Sequence, residues 1–345
     1  MYDLYDRVLG CFTVSGMGDA FGAATEAMSM EEIHEIFGGR VTTFVHSEMN
    51  KLSAENKPGE ITDDTSQMVE MIKAIIKNNG ELTPETAGEG LLSWSENWPN
   101  YYPRCAGPTT RVIIDLVKQG KSPVEVAKEG RMYYQGTTNG AIMRIAGAGA
   151  IHPGDWDGAI KTGIAMTACS HGTQIAYSAA GCISAAIAEA MKEGSDVHSV
   201  LKAAIYGCKK GEEIGLKEAR HAAGARVLPK VLKAIEIAYE ADNPIEAEKM
   251  LNDEMGIDSA AICQSCAIAI GLFAANDGDP IGTITSCANI GGDTDTIGCV
   301  AGAVAGAFAG YKAIPEDLLN TFEKANPDLH LNELAKDFVR IIENR

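Results

Sequence analysis

The sequence predicts an all-α fold, a single compact multi-helix domain over residues 1–345, and three observations carry that prediction. Apolar residues recur at three- and four-residue spacing in one segment after another. Long stretches rich in Ala and Gly have the length of buried helices. Only Arg40 to Val45 reads as a strand, and one strand makes no sheet, so a doubly wound fold is excluded.

In chain order, Val69, Ile72, Ile75 and Ile76 mark one helical face, ended by the breaker Asn78–Asn79–Gly80. Ile175 to Met191 is the first Ala/Gly-rich helix. Val197, Val200, Leu201, Ala204 and Ile205 form the next apolar face, with Gly207 near its stop. Ala260 to Ala275 and Thr296 to Ala309 are again rich in small residues, which let helix axes approach closely; these and Ile175 to Met191 are expected as inner helices. Leu331, Leu334, Phe338, Ile341 and Ile342 close the chain with an amphipathic helix. No linker, composition shift or solenoid-length repeat marks a domain boundary. Thr296 to Tyr311 carries no charge, but it is shorter than the ~20 residues a span needs and has Gly and Ala where a span has Leu and Phe. It is expected as a buried helix. Met1 to Arg7, with Asp3 and Asp6, lacks the basic-then-apolar order of a signal peptide.

Hydrophobic residues make up 46% and charged residues 22%, the balance of a packed globular protein. A net charge of −18 argues against nucleic-acid partners and polyanionic membrane surfaces. One phosphorylated small molecule can still be held locally, by a cation or by backbone amides. Nine cysteines without framework spacing read as reduced, buried thiols in a cytoplasmic compartment. Cys263 and Cys266 form a lone CxxC with no second pair to complete a zinc site, so helix packing is expected of them.

Four segments carry chemistry. Gly16 to Gly22 reads as a Gly-rich turn in which Asp19 is a helix cap. Glu26 beyond it is either a general acid or base or an exposed first-turn carboxylate stabilised by a helix dipole. Thr62-Asp63-Asp64-Thr65 opens a helix; one such residue would be an ordinary cap, but two adjacent carboxylates repel unless protonated, separated or bridged by a cation. Gly291-Gly292-Asp293-Thr294-Asp295-Thr296 opens another helix, and its oxygen ligands suit Mg²⁺, Mn²⁺ or Ca²⁺. An EF-hand is excluded, because its twelfth position is Val304. The two Asp/Thr clusters are expected to converge on one cation site. In Thr137 to Gly149, glycine-rich backbone can hold phosphate, and Arg144 either binds phosphate or pairs with the acidic loops. His171, beside Ser170, either fills a polar gap in the core or touches substrate.

Taken together these segments resemble the ADP-ribosylglycohydrolase family. The resemblance runs through Gly18-Asp19-Ala20, Gly22 and Glu26, then Thr62 to Thr65, Asn139-Gly140 with Met143-Arg144, Ser170-His171, and Gly291 to Gly298, roughly Leu9 to Gly310. It implies an all-α fold with one or two Mg²⁺ or Mn²⁺ ions in a cleft, and Thr62, Asp63, Asp64, Asp293, Asp295 and Thr296 as metal ligands. It implies Glu26 near the scissile glycosidic bond, with Glu26 or a metal-bound carboxylate such as Asp64 as proton acceptor. It implies diphosphate and distal-ribose contacts from Asn139, Gly140, Arg144 and Gly147, with His171 nearby. Gly172-Thr173 departs from the His or Pro that many members carry there. The expected activity is hydrolysis of a ribosyl N- or O-glycosidic bond in an ADP-ribosylated substrate or small molecule. The alternatives are an N-glycosidase of a free nucleoside, nucleotide or modified metabolite, and a non-enzymatic relative.

Overall fold

The computed structural model describes residues 2–50, 53–129, 136–256 and 260–345. Seventeen α-helices and two short 3-10 turns follow one another among the described residues. Strand-like pairing there is confined to two isolated bridges, Thr138 with Ala261 and Thr173 with Arg220. The all-α expectation holds.

At the centre, the helix Leu4–Gly22 crosses the helix Thr294–Ala309, and both are buried over most of their length. Their contact is made of glycines. A Cβ on Gly18 would lie 2.0 Å from the Gly298 carbonyl oxygen, one on Gly302 2.4 Å from the Val14 oxygen, and one on Gly306 2.2 Å from the Gly10 oxygen. No side chain fits there, so the spacing of these glycines sets how near the two axes come. Gly16 to Gly22 is therefore not a turn but the C-terminal half of this first helix. Its glycines have helical dihedrals and serve tertiary packing, which outweighs their low helix propensity.

A second crossing repeats the device. Gln174–Ala190 packs on Val197–Glu218, where a Cβ on Gly207 would meet the Gly181 oxygen at 2.0 Å and one on Gly211 the Tyr177 oxygen at 2.2 Å. Gly207 does not stop its helix, which continues to Glu218. The inner helices expected from Ala and Gly content are found as Gln174–Ala190, Ile262–Ala275 and Thr294–Ala309. One apolar cluster runs from Val8 to Phe338, with the Phe12 and Phe338 rings edge to face at 5.2 Å. A smaller cluster, including Ile160, Tyr177 and Ala203, lies beneath the helix Trp156–Ala168.

Two further expectations are settled here. Arg40 to Val45 is not a strand: the Asn289 side chain accepts the Val41 N–H at 2.9 Å and donates to the Val41 carbonyl at 2.7 Å, doing the work of a neighbouring strand. Arg40 fixes the same segment by a two-pronged ion pair to the buried Glu248. Cys263 and Cys266 sit buried on the helix Ile262–Ala275, and all nine thiols are free, eight of them buried and Cys105 half-buried. No helix among the described residues is long and apolar enough to cross a membrane.

Candidate active site

The first helix reaches both acidic segments. Asp19, one residue after the Gly18 contact, is fully buried and accepts the Thr62 N–H at 3.0 Å, the Thr65 N–H at 3.0 Å and the Thr65 hydroxyl at 2.5 Å. It is a cap, as its side chain suggests, but for the helix Asp63–Lys77 rather than for its own. Three residues on, a Cβ at Gly22 would lie 2.3 Å from the Asp295 nitrogen. The two helix starts that carry Asp63–Asp64 and Asp293–Asp295 are thus referred to one rigid rod.

Beyond Gly22 the chain turns back on the Gly291–Gly292 corner. Ala27 N–H donates to the Gly292 carbonyl at 2.7 Å and Gly292 N–H to the Met28 carbonyl at 2.9 Å. Gly291 and Gly292 have φ of 84° and 72°, a region that favours glycine. These paired backbones set Glu26 beside Asp293. Glu26, Asp293 and Asp295 each offer a carboxylate oxygen, all within 4.8 Å of one another, a spacing that can hold a metal ion.

Asp63, Asp64, Thr62 and Thr296 join these three around one cavity of about 230 Å³, which Asn139 and Gly140 also line. Burial, then the neighbouring carboxylates, push Asp63, Asp64 and Asp295 well above the usual carboxylate range. Burial, then Asp293, raises Glu26 to about 7; its Oε2 accepts from Asn50 at 3.1 Å. Asp64 Oδ2 is buried and has no hydrogen-bond partner among the described residues. Asp63 Oδ2 accepts from Gln67 at 3.0 Å, and Asn139 donates to Asp293 at 2.7 Å and to Ser265 at 2.9 Å.

Three residues expected at the substrate do not line this cavity. Arg144 is fully buried, donating to Gln67 and Ser170, and it reaches the Asp63 carboxylate through Gln67. Gly147 lies in the short helix Ala146–Ala150, where a Cβ would meet Ile75 at 3.0 Å; it is a packing glycine. His171 is fully buried between Ser170 and Thr138. Thr138, within the Thr137 to Gly149 segment, also lines the cavity, as do Ser53, Cys105 and Gly107 to Thr110, which the sequence did not mark. Ser53, Cys105 and Gly107 to Thr110 approach from segments with no motif.

An all-helical fold holding a cavity walled by five carboxylates on three segments defines the class, a helical protein with an acidic cleft suited to hard cations. The chain belongs to the ADP-ribosylglycohydrolase family, whose model matches residues 1–345. It is 26% identical over 341 residues to YegU of Escherichia coli (strain K12), covering 99% of this chain and 98% of that one. It is also 26% identical to the ADP-ribosyl-[dinitrogen reductase] glycohydrolase of Rhodospirillum rubrum, covering 93% of this chain and 91% of that protein. The fold matches a solved structure described as an ADP-ribosylglycohydrolase-related protein complex, with a TM-score of 0.69 at 21% identity over 98% of each chain.

Proposed function

We propose that this glycohydrolase removes ADP-ribose from a modified side chain or small acceptor with the help of Mg²⁺ or Mn²⁺. The observation that carries the reading is the buried Asp64 Oδ2, unpartnered among the described residues, in a cavity with four further carboxylates. Such a group is costly unless a cation or proton joins it, and an all-oxygen donor set fits a hard divalent ion. Thr62, Asp63, Asp64, Asp293, Asp295 and Thr296 would hold one or two such ions. When bound, the cation supplies Lewis-acid polarisation and a water of lowered pKa.

The chain's own groups account for the rest. The anionic walls favour the positive charge that develops on a ribosyl ring as its glycosidic bond breaks. Glu26, set beside Asp293 on the cavity wall, is placed to take a proton from water, with Asp64 as the other candidate acceptor. Water delivers hydroxyl to the anomeric carbon and its proton, by way of the acceptor, to the departing nitrogen or oxygen. The name of the Rhodospirillum relative supports ADP-ribose as the group removed. The net charge of −18 speaks against nucleic-acid substrates; free thiols support a reducing, cytoplasmic setting, and the continuous core supports a single domain.

The deciding experiment is a mass-read hydrolysis screen with Mg²⁺ or Mn²⁺ over ADP-ribosyl-arginine, ADP-ribosyl-serine, O-acetyl-ADP-ribose and common nucleosides. Metal-dependent release of ADP-ribose is expected, and Glu26→Gln should slow it ~10²–10⁴-fold. Release from nucleosides alone would replace the ADP-ribosyl reading with an N-glycosidase. No release from any substrate would overturn both.

A further inference from the structure

Behind the cavity wall runs a line of buried side chains to which the chemistry above gives no role. Arg144 Nη1 donates to Gln67 Oε1 at 2.7 Å, and Arg144 Nη2 donates to Ser170 Oγ at 2.5 Å. Ser170 Oγ lies 2.8 Å from His171 Nδ1, and His171 Nε2 lies 2.8 Å from Thr138 Oγ1. Thr138 stands on the cavity wall. In the other direction Gln67 Nε2 donates to Asp63 Oδ2. One guanidinium therefore connects two walls of the same cavity.

The hydrogens in this line have a direction. A guanidinium only donates, so Ser170 Oγ must accept from Arg144, and the single Ser170 hydrogen points elsewhere. His171 Nδ1 is within reach. The neighbouring Cys169 sulfur is a weaker acceptor, and its own hydrogen goes to the Met166 carbonyl. Burial and the Arg144 charge hold His171 down at about 3, so its ring is neutral and carries one hydrogen. With Nδ1 accepting, that hydrogen is on Nε2 and is donated to Thr138 Oγ1. The Thr138 hydroxyl hydrogen is then left for whatever fills the cavity.

We infer that Arg144, Ser170 and His171 are positioning residues that fix Thr138 as a hydrogen-bond donor to an acceptor oxygen of the substrate. The same guanidinium, through Gln67, orients Asp63. His171 acts here by its tautomer and not as an acid or base. This deepens the glycohydrolase reading, and its kinetic arm rests on that reading; its spectroscopic arm does not.

The spectroscopic arm is a two-dimensional ¹H–¹⁵N spectrum of the full-length, ¹⁵N-histidine-labelled protein, with His171 assigned by its loss in His171→Gln. A neutral Nε2–H tautomer, unchanged from pH 5 to 8, is expected, and Ser170→Ala should shift it toward Nδ1–H. An Nδ1–H ring in the unsubstituted protein, or one that titrates in that range, would overturn the inference. The kinetic arm uses ADP-ribosyl-arginine and reads KM and kcat separately. Thr138→Val should raise KM ~5–10-fold with kcat within about twofold, the size of one lost neutral hydrogen bond, and Thr138→Ser should restore it. A Thr138→Ser protein as impaired as Thr138→Val, or a loss confined to kcat, would also overturn it. If no ADP-ribosyl substrate is turned over, the proposed function fails, and the tautomer still decides the inference.

Discussion

The crossing of Leu4–Gly22 with Thr294–Ala309 and that of Gln174–Ala190 with Val197–Glu218 are built alike. In each, glycines spaced along one helix receive the backbone of the other, and a Cβ on Gly18 or on Gly207 would approach a carbonyl oxygen to the same 2.0 Å. What differs is the ends. The first crossing has Asp19 one residue past its tightest contact, Glu26 just beyond one terminus and Asp293 at the start of the other helix. The second ends near Glu189, whose carboxylate accepts the Trp156 ring N–H at 2.8 Å and pairs with Lys192. Close helix approach is thus a device for fixing positions. It becomes functional only where the fixed ends carry reactive groups.

The largest effect should separate the buried carboxylates at these two places. Asp295→Asn removes an acid from the cavity and should lower metal-dependent kcat/KM on the order of 10³-fold, the several kcal/mol that such charge stabilisation supplies. Glu189→Gln should leave kcat/KM within about twofold. Comparable losses in both would mean that the cavity is not where the reaction occurs.

Next comes the packing itself. Gly18→Ala and Gly207→Ala should each lower stability by ~3 kcal/mol, because backbone and not a flexible side chain must give way. Urea midpoints measure that loss. Only Gly18→Ala should also lower the turnover of the folded protein, since Asp19 and its hold on Thr62 and Thr65 move with it. Equal turnover in the two variants would show that the site tolerates displacement of its central helix.

These two crossings also mark where the sequence was legible. Helical periodicity and Ala/Gly content identify the fold class and the inner helices, because a buried helix shows its small residues wherever it lies. The pairing of Thr62–Asp64 with Asp293–Thr296 was legible from chemistry: clustered acids at two helix starts need a common counter-charge. But Gly16–Gly22 read as a turn and Gly207 as a stop for the same reason. A glycine's local preference is visible in one segment, while the distant carbonyl that requires it is not. Arg40 to Val45 looked like a strand because extended backbone has one pattern whether a strand or Asn289 partners it. Arg144, Gly147 and His171 lie in the right motifs yet do not line the cavity, and motif order carries no information on which side chains reach its surface.

The smallest effect concerns pH and localises the strain at the first crossing. A carboxyl whose pKa is raised by folding favours the folded state in its protonated form. That contribution is complete below the ordinary pKa and is lost as pH rises through the folded value. For Glu26 the window runs from 4.5 to about 7, and Asp63, Asp64 and Asp295, also raised, act with the same sign. His171 opposes them: held at about 3, it favours the unfolded chain as pH falls below 6.5. The clean quantity is therefore the difference between the unsubstituted protein and Glu26→Gln, both metal-free. From pH 7.5 down to 5, the unsubstituted protein should gain on the order of 2 kcal/mol relative to the variant. Mg²⁺ or Mn²⁺ at pH 7.5 should raise the thermal midpoint of the unsubstituted protein and flatten its pH dependence, because cation and proton relieve the same repulsion. Gly207→Ala should shift the stability curve down without changing its slope. A slope unaffected by Glu26→Gln would mean that Glu26 is not among the groups taking up protons in the metal-free fold, and the proton acceptor would then have to be sought at Asp64.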